Sequence, residues 1–252
     1  MKKQSKIVGI IPVRMASTRF PGKPLASICG LPMVEHVRRR SALCKSLSRV
    51  IVATCDDQIR TVVEGHGGDV IMTSSSHERC TDRIAEAAAH LDADIIVNIQ
   101  GDEPLIAPRM ISRLLRPVID DRCGCANLIC PITDEKEFES QNSVKAVLDL
   151  KGNILYFSRE PIPSRKKTLE PFKKYRQLGI IAFTKPILLS YSSMKQTPME
   201  RIESIDMMRL LENGHTIKAV IINEPLYGVD TPDELKAAEA IMEKDKLLLE
   251  YL

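Results

Sequence analysis

The segment with the clearest chemistry is a basic loop near the start of the chain. Arg14, Arg19 and Lys23 lie within ten residues, and their positive charges repel one another unless an anion lies among them. Gly22 lets the backbone approach a ligand closely, and Ser17 adds a hydroxyl group. These residue types suit a polyphosphate. The loop lacks the spacing of a P-loop, and a solvated basic loop is the alternative interpretation.

Two acidic segments further along the chain could hold a metal ion for such a phosphate. Asp102 lies in Gln100-Gly-Asp-Glu-Pro104, and Asp230 lies in Gly228-Val-Asp-Thr-Pro232. Mg²⁺ in proteins is bound by one or two carboxylates together with phosphate oxygens. We expect Asp102 to bind Mg²⁺, with Asp230 as a second ligand if the fold brings the two together. Capping of a following helix is the alternative role for each aspartate.

A further cationic position is Arg159, at the end of Tyr156-Phe-Ser-Arg159. Two prolines follow within four residues and stiffen the chain there. A guanidinium group held in one direction can bind a carboxylate through two parallel hydrogen bonds. Arg159 is therefore predicted to bind an acidic substrate, although a surface salt bridge would explain an arginine here equally well.

The elements that must position these residues alternate along the first half of the chain. Continuous apolar runs at Ile7–Ile11, Val50–Ala53 and Ile95–Ile99 are typical of strands buried on both faces of a parallel sheet. Helical patterns separate these runs, which predicts an α/β fold with a Rossmann-like, doubly wound and mainly parallel sheet. The basic loop and Gln100–Pro104 each follow such a strand, at the edge where open α/β sheets bind ligands.

The second half predicts a smaller lobe that is partly antiparallel. Strand-like segments at Val144–Leu148 and Ile154–Phe157 are separated by a short turn. A single helix is predicted over Arg201–Asn213. Thr231 is predicted to cap a final helix, and Thr81 to cap a helix in the first half.

The composition excludes several classes of protein. The net charge is only +3 over 252 residues and there is no tryptophan, which argues against a nucleic-acid binder. We expect neither a signal peptide nor a membrane span, and therefore a cytoplasmic location. Of the seven cysteines, only Cys123, Cys125 and Cys130 are clustered. Because no histidine lies near them, we expect reduced thiols rather than a zinc site.

Six motifs occur together and in one order. They are Arg14-x-x-Ser-Thr-Arg-x-Pro-Gly-Lys-Pro-Leu25, Val52-Ala-Thr54, Gln100-Gly-Asp-Glu-Pro104, Val144-Lys145, Tyr156-Phe-Ser-Arg159 and Gly228-Val-Asp-Thr-Pro232. In this combination the sequence resembles the 3-deoxy-manno-octulosonate (KDO) cytidylyltransferases, from Ile7 to about Met242.

The resemblance implies a reaction and an architecture. The anomeric hydroxyl of a 2-keto-3-deoxy sugar acid would attack the α-phosphorus of CTP and pyrophosphate would leave, which supplies an activated sugar for lipopolysaccharide. Positioning and charge neutralisation dominate such chemistry. A nucleotide-binding lobe would comprise residues 1–122 and 216–252, and an acceptor-binding and dimerisation lobe residues 123–215. The family is usually a homodimer.

The resemblance also implies a role for each candidate residue. The residues that would bind the nucleotide are Arg14, Ser17, Arg19, Gly22, Lys23, Arg83 and Asp102. Asp102 and Asp230 would bind Mg²⁺, and with Arg14 and Lys23 they would form the catalytic set. The residues that would bind the acidic sugar are Gln100, Arg159, Gln177, Glu203 and Asp206.

Three departures from the family pattern leave alternatives open. Gln177 stands where the family usually has a histidine, Asp206-Met207 replaces a Glu-Gln pair, and Cys80 replaces a glycine. The first two fall in segments that contact the sugar, and a polar site penalises a changed set of donors and acceptors. The acceptor could therefore be another keto-deoxy sugar acid, or a small phosphonate or carboxylate. Use of another nucleotide, and a non-catalytic nucleotide-binding protein on the same fold, also stay open.

Overall fold

The computed structural model describes residues 5–16, 20–120, 123–165, 167, 170–224 and 226–252. The chain divides into two compact units. Unit 1 is Met1–Ser112 with Leu226–Leu252, and unit 2 is Arg113–Pro225. The divisions fall at 112 and 225, whereas the predicted lobes divide at 122 and 215.

The strands and helices of the described residues follow in chain order. The strands are β1 (Ile7–Pro12), β2 (Ser27–Ile28), β3 (Leu31–Pro32), β4 (Arg49–Thr54), β5 (Asp69–Met72), β6 (Ile95–Ile99), β7 (Cys125–Pro131), β8 (Lys145–Leu148), β9 (Ile154–Ser158), β10 (Tyr175–Thr184) and β11 (Lys218–Ile221). The helices are α1 (Met33–Ala42), α2 (Asp57–Gly65), α3 (Cys80–Ala89), α4 (Pro108–Ile119), α5 (Glu135–Glu139), α6 (Lys185–Ser193), α7 (Pro198–Glu203), α8 (Met208–Glu212) and α9 (Pro232–Met242). Short 3-10 turns lie at Lys23–Leu25 and Lys246–Glu250.

The sheet of unit 1 is parallel, with the strand order β6-β1-β4-β5. Every residue of β1 and β6 is buried, as the continuous apolar runs predict for strands covered on both faces. The alternation of strands with α1, α2 and α3 confirms the predicted parallel α/β fold. Neighbouring parallel strands all end at the same edge of the sheet, and the loops that contain the predicted site residues begin at that edge.

A second cluster of apolar side chains in unit 1 anchors the end of the chain. The buried members are Ile28, Met33, Leu105, Val229, Ala238, Met242 and Leu248. They come from the β2–β3 hairpin, which sequence patterning did not predict, and from α1, α9 and the segments beside them. This cluster therefore fixes the segment before α9, which contains Asp230, against the rest of unit 1.

Unit 2 contains both parallel and antiparallel pairings. β7 pairs with β11 in parallel and with β10 antiparallel. β8 and β9 form an antiparallel hairpin, and β8 also pairs with β10. The register of β10 on β7 shifts between Gln177 and Ile181. The buried Asn127 side chain fills this irregularity, because its amide nitrogen donates to the carbonyl oxygens of Leu178 at 2.8 Å and Ile180 at 3.2 Å.

The single helix predicted over Arg201–Asn213 is wrong. α7 ends at Glu203, Ser204 has a left-handed φ of 55°, and α8 begins only at Met208. A capping box of Thr197 and Glu200 also begins α7 before the predicted start. Buried apolar residues continue through the turn between the two helices. The apolar pattern therefore predicts burial correctly there, although the backbone is not helical.

The two predicted helix caps have opposite outcomes. Thr231 caps α9, because its side chain accepts a hydrogen bond from the Glu234 N–H at 3.3 Å. Thr81 does not cap α3, whose N-cap is Arg79. Thr81 is almost fully buried within the first turn of α3, so packing determines its place.

Candidate functional site

The cations and carboxylates predicted from the sequence meet at one edge of the sheet of unit 1. The residues that line a cavity of about 290 Å³ there include Arg14, Lys23, Gln100, Asp102 and Asp230. Arg14 follows the end of β1 by two residues, and Gln100 directly follows β6. Because β1 and β6 are parallel neighbours, both loops leave the sheet at the same edge.

Lys23 joins the two aspartates through its ammonium group. Its Nζ donates to Asp102 Oδ2 at 2.7 Å and to Asp230 Oδ1 at 2.9 Å. Burial on its own lowers the pKa of Lys23, but the two carboxylates outweigh burial and raise that pKa above its ordinary value. Lys23 is therefore charged at neutral pH, and its charge offsets the repulsion between the two carboxylates.

A backbone hydrogen bond holds the two aspartate segments side by side. The Val229 N–H donates to the Asp102 carbonyl oxygen at 2.9 Å, and the Val229 side chain belongs to the buried cluster described above. On the other side, the Asp230 N–H donates to Glu234 Oε2 at 2.8 Å. The two carboxylates are thus placed by the main chain and not only by their shared lysine.

Helix capping does not account for either carboxylate. Thr231 is the cap of α9, and α4 begins at Pro108, well beyond Asp102. Among the described residues, no group of three or more His, Cys, Asp and Glu side chains is placed to hold a metal ion. A cation bound at this point would therefore have two carboxylates from the protein and would take its other ligands from substrate and water.

The chain packs so closely beside residue 101, next to Asp102, that only glycine fits there. A Cβ atom at this position would lie 2.1 Å from Val13 Cγ1 and 3.4 Å from the Pro12 carbonyl oxygen. The loop after β6 can therefore approach the loop after β1 only because residue 101 has no side chain. This contact sets the separation between Arg14 and Asp102 across the cavity.

Within the basic loop, the described residues are arranged around a turn. Gly22 has a φ of 74° and precedes the 3-10 turn that contains Lys23, a backbone conformation that favours glycine; its close approach to a nucleotide stays a prediction. Arg14 is exposed at the cavity. The next residue, Met15, donates its N–H to Asp56 Oδ2 at 2.8 Å. Asp56 lies just after β4 at the same sheet edge, and sequence reasoning did not single it out.

Ser17 and Arg19 lie outside the described residues, and their predicted part in nucleotide binding remains a prediction.

Arg83 is buried beside the basic loop. The residues that line a smaller cavity of about 70 Å³ include Arg14, His77, Arg79, Cys80 and Arg83. Arg83 is 3% exposed, and its Nη1 donates to Thr73 Oγ1 and to the Ser74 carbonyl oxygen. Its Nη2 has no hydrogen-bond partner among the described residues. Arg83 thus offers a buried donor next to Arg14, as its predicted role in nucleotide binding requires.

In unit 2, Arg159 and Glu203 form one hydrogen-bonded cluster. Glu203 accepts hydrogen bonds from Ser158 Oγ at 2.9 Å, from the Arg159 N–H at 3.0 Å and from Tyr156 Oη at 3.2 Å. Burial and the nearby Glu203 charge raise the pKa of Tyr156. Among the described residues the Arg159 guanidinium group donates to backbone carbonyl oxygens and not to a carboxylate, so the alternative of a surface salt bridge does not describe it there.

Gln177 and Asp206 have other surroundings in unit 2. The Gln177 side-chain amide donates to Asn127 Oδ1 at 2.7 Å, at the irregularity of β10. Asp206 lies in the turn between α7 and α8, where its carbonyl oxygen accepts the Arg209 N–H at 3.1 Å. Met207 is fully buried. Two residues that depart from the family pattern therefore have structural roles. Gln177 forms a side-chain hydrogen bond, and Met207 belongs to the core.

The described residues contain no helix that is long and apolar enough to cross a membrane. None of the seven cysteines, all of which are described, forms a disulfide.

Comparison with known proteins identifies the family of this chain. Residues 8–217 match the family model of the cytidylyltransferases. The 3-deoxy-manno-octulosonate cytidylyltransferase of Geobacter metallireducens is 45% identical, over 91% of this chain and 95% of its own. The protein of the same name from Geobacter sulfurreducens is 43% identical, over 95% of this chain and 99% of its own.

Solved structures give the same result. CMP:2-keto-3-deoxy-manno-octonic acid synthetase in complex with CTP has a TM-score of 0.90 and 37% identity, covering 95% of this chain and 99% of that chain. The 4-diphosphocytidyl-2C-methyl-D-erythritol synthase of Anaerococcus prevotii has a TM-score of 0.63 at 15% identity, and that likeness concerns the fold alone.

The fold and the family match define a nucleotidyltransferase of the cytidylyltransferase class. With relatives at 43–45% identity over more than nine-tenths of its length, the chain belongs to the 3-deoxy-manno-octulosonate cytidylyltransferase family. The resemblance predicted from the six motifs is confirmed.

The close packing at Gly101 gives a first prediction. In a Gly101→Ala variant the new methyl group overlaps Val13, so we expect the loops to separate and nucleotide affinity to fall about tenfold. Overpacking should also reduce the free energy of unfolding by about 1–3 kcal/mol. Calorimetric titration with CTP and urea denaturation measure the two effects. Gly65→Ala is the matched control, because nothing lies within 4 Å of its added Cβ. Equal affinity and stability in the two variants would contradict the packing argument.

Proposed function

We propose that this protein transfers CMP from CTP to KDO and releases pyrophosphate. The observation that carries the proposal is the Asp102–Lys23–Asp230 arrangement beside Arg14, in a chain of the KDO cytidylyltransferase family. The structural relative at 37% identity was solved with CTP. Relatives at 41–45% identity carry the name of this one reaction, and no comparison favours a different acceptor or a non-catalytic role.

The reaction requires charge control more than acid–base catalysis. The hydroxyl oxygen of the acceptor forms a bond to the α-phosphorus, the bond from that phosphorus to the bridging oxygen of the β-phosphate breaks, and the hydroxyl proton passes to solvent. Pyrophosphate leaves with the electrons of the broken bond. Fixed positive groups lower the barrier by opposing the charge on the phosphate oxygens.

In unit 1, the residues for this task are those that line the cavity. Arg14 and Lys23 would bind phosphate oxygens, and Arg83 would bind a more deeply placed part of the nucleotide. Lys23 is tied to both aspartates, and Arg83 is tied to Thr73 and to the Ser74 carbonyl oxygen, so these two cations are held in place before a nucleotide binds. Such pre-organisation reduces the ordering that the reaction itself requires.

In unit 2, we assign the acceptor carboxylate to Arg159. Glu203 fixes the Arg159 backbone through the Arg159 N–H and contacts Ser158 and Tyr156. A guanidinium group suits a carboxylate because both are planar and can form paired hydrogen bonds. Gln177, Glu203 and Asp206 are the polar groups of unit 2 that we propose for the remaining oxygens of the sugar. Gln100 lies at the cavity of unit 1, and its role in acceptor binding stays a prediction.

We further propose that the enzyme uses Mg²⁺. Lys23 contacts one oxygen of each carboxylate, so Asp102 and Asp230 lie close enough to share one cation, and we assign Mg²⁺ to the same pair. The ion would supply charge neutralisation at the α-phosphate when bound. Two carboxylates are enough protein ligands, because phosphate oxygens and water complete the octahedral shell of Mg²⁺.

An Asp102→Asn variant tests the metal assignment. The shape of the side chain is kept while one of two negative charges is removed, so we expect kcat to fall by at least about a hundredfold. CTP affinity measured without a divalent cation should change by less than about threefold. Asp57→Asn is the control, because Asp57 is exposed at the start of α2. Turnover like that of the control would remove Asp102 from the metal site.

A pyrophosphate-release assay tests the substrates. We expect release only when CTP and KDO are both present, and rates with UTP, GTP or ATP should be at least about tenfold lower. Replacing KDO by other keto-deoxy sugar acids, or by small phosphonates and carboxylates, tests the acceptor. Faster turnover with one of these compounds would make that compound the acceptor. If no pair of nucleotide and acceptor releases pyrophosphate, a non-catalytic binding protein is favoured.

We also propose a homodimer formed through unit 2. The residues around an apolar groove of about 590 Å³ include Val147, Leu148, Leu155, Ile162 and Phe172. Leu155 is 60% exposed and the nearby Leu150 fully so. Exposed apolar clusters on folded proteins usually mark interfaces, and the family resemblance makes a second copy the expected occupant.

Light scattering coupled to gel filtration measures this assembly. We expect the wild type to elute with about twice the mass of one 28.2 kDa chain and a Leu155→Glu variant to shift toward the monomer, because a charge would be buried in the interface. Lys151→Glu, on the turn of the same hairpin, is the control. A monomeric wild type would refute the dimer.

A further inference from the structure

The Val144-Lys145 motif contains a buried lysine that the proposed reaction does not use. Lys145 has no exposed surface, although it lies at the first position of β8. Its ammonium group donates to the carbonyl oxygens of Ser143 at 2.7 Å, Ser140 at 2.8 Å and Arg159. An ammonium group has three N–H donors, and all three therefore bind the backbone.

The loop that Lys145 binds also contacts the Arg159 side chain. The Arg159 guanidinium group donates to the carbonyl oxygens of Glu203 at 2.9 Å, Gln141 at 3.0 Å and Ser204 at 3.3 Å. Gln141 belongs to the same short loop, 140–143, whose carbonyl groups Lys145 holds. The loop is thus fixed by Lys145 at two positions and contacts Arg159 at a third.

A lysine is an unfavourable choice for this position unless its charge has a use. Burial lowers the pKa of Lys145, because removing an ammonium group from water destabilises its charged form. A methionine of similar volume would fill the space without this penalty. A methionine has no hydrogen-bond donors, however. It could not hold the three carbonyl groups that the 140–143 loop and Arg159 present to Lys145.

We propose that Lys145 is a positioning residue for the acceptor site. It holds the Arg159 backbone and the 140–143 loop in one geometry, so the Arg159 guanidinium group is ordered before the sugar acid binds. A pre-ordered group binds its ligand without the loss of conformational entropy that a mobile side chain would incur. This inference rests on the proposed role of Arg159 in binding the acceptor carboxylate.

Steady-state kinetics of a Lys145→Met variant tests the inference. We expect the KM for KDO to rise about tenfold while the KM for CTP stays within about twofold, because the nucleotide residues lie in unit 1. Leu188→Ala is the matched control. It removes part of a buried side chain from α6, so it should lower Tm without raising the KM for KDO. A merely structural role of Lys145 would make the two variants alike.

A double-mutant cycle shows whether Lys145 acts through Arg159. We expect Lys145→Met to have little further effect on kcat/KM for KDO in an Arg159→Ala background. The inference would be overturned if the double variant lost kcat/KM for KDO by the product of the two single losses. An unchanged KM for KDO in Lys145→Met would also overturn it. Arg159→Ala alone separates the two proposals, since an unchanged KM for KDO in that variant refutes the acceptor role of Arg159 itself.

A second substitution covers the case in which Lys145→Met does not fold. Lys145→Arg keeps the positive charge, but a planar guanidinium group cannot direct three donors to the same three carbonyl oxygens. The same rise in KM for KDO is expected, and its absence would contradict the positioning role. Hydrogen exchange of the peptides that contain residues 140–143 and 159 gives a readout that does not depend on activity, with faster exchange expected in either variant.

Discussion

Two carboxylates from distant parts of the chain share one ammonium group in unit 1, and the rest of the site follows from this arrangement. Like charges a few ångströms apart repel by several kcal/mol at the effective dielectric of a partly buried site. Lys23 removes much of that repulsion by contacting one oxygen of each. The protein can therefore keep a concentrated negative charge next to Arg14 without separating the two segments.

The main chain makes this arrangement stiff. The hydrogen bond from Val229 to the Asp102 carbonyl oxygen joins the end of β6 to the segment before α9, and the apolar cluster around Met33, Ala238 and Met242 holds that segment from behind. On the opposite side, Gly101 brings the two strand-end loops into contact. The segments that carry the two aspartates are thus supported by neutral contacts, which suits the fixed charges on which electrostatic catalysis depends.

The sequence predicts most of unit 1, because its signals there are local. Continuous apolar runs identify β1, β4 and β6, and the rule that ligands bind at strand ends places the basic loop and Asp102 at one edge. The contacts of Lys23 with Asp102 and Asp230 span 79 and 207 residues, and no local pattern encodes such a pairing. Only the resemblance to a family suggested that the two aspartates act together.

Unit 2 is less predictable because its backbone departs from regular periods. Ser204 adopts a left-handed conformation inside an apolar pattern that otherwise favours one helix. The irregularity of β10 is stabilised by the Asn127 side chain, and Gln177 contacts that side chain, so a residue that looks like a changed substrate ligand also maintains the strand. Lys145 belongs to a motif that the sequence shows. Its role depends on three carbonyl groups whose positions around its ammonium group cannot be predicted from the sequence.

The return of the chain to unit 1 has a consequence for how the protein is made. Asp230 and its supporting helix belong to the last 27 residues, Leu226–Leu252, and they pack against unit 1, whose last strand, β6, ends at Ile99. During synthesis Lys23 and Asp102 emerge from the ribosome before unit 2, and Asp230 emerges only after it. Contacts this distant in sequence form slowly. The two aspartates can therefore meet only after unit 2 has been synthesised, and a chain that ends before Asp230 contains the basic loop and Asp102 but lacks the second carboxylate.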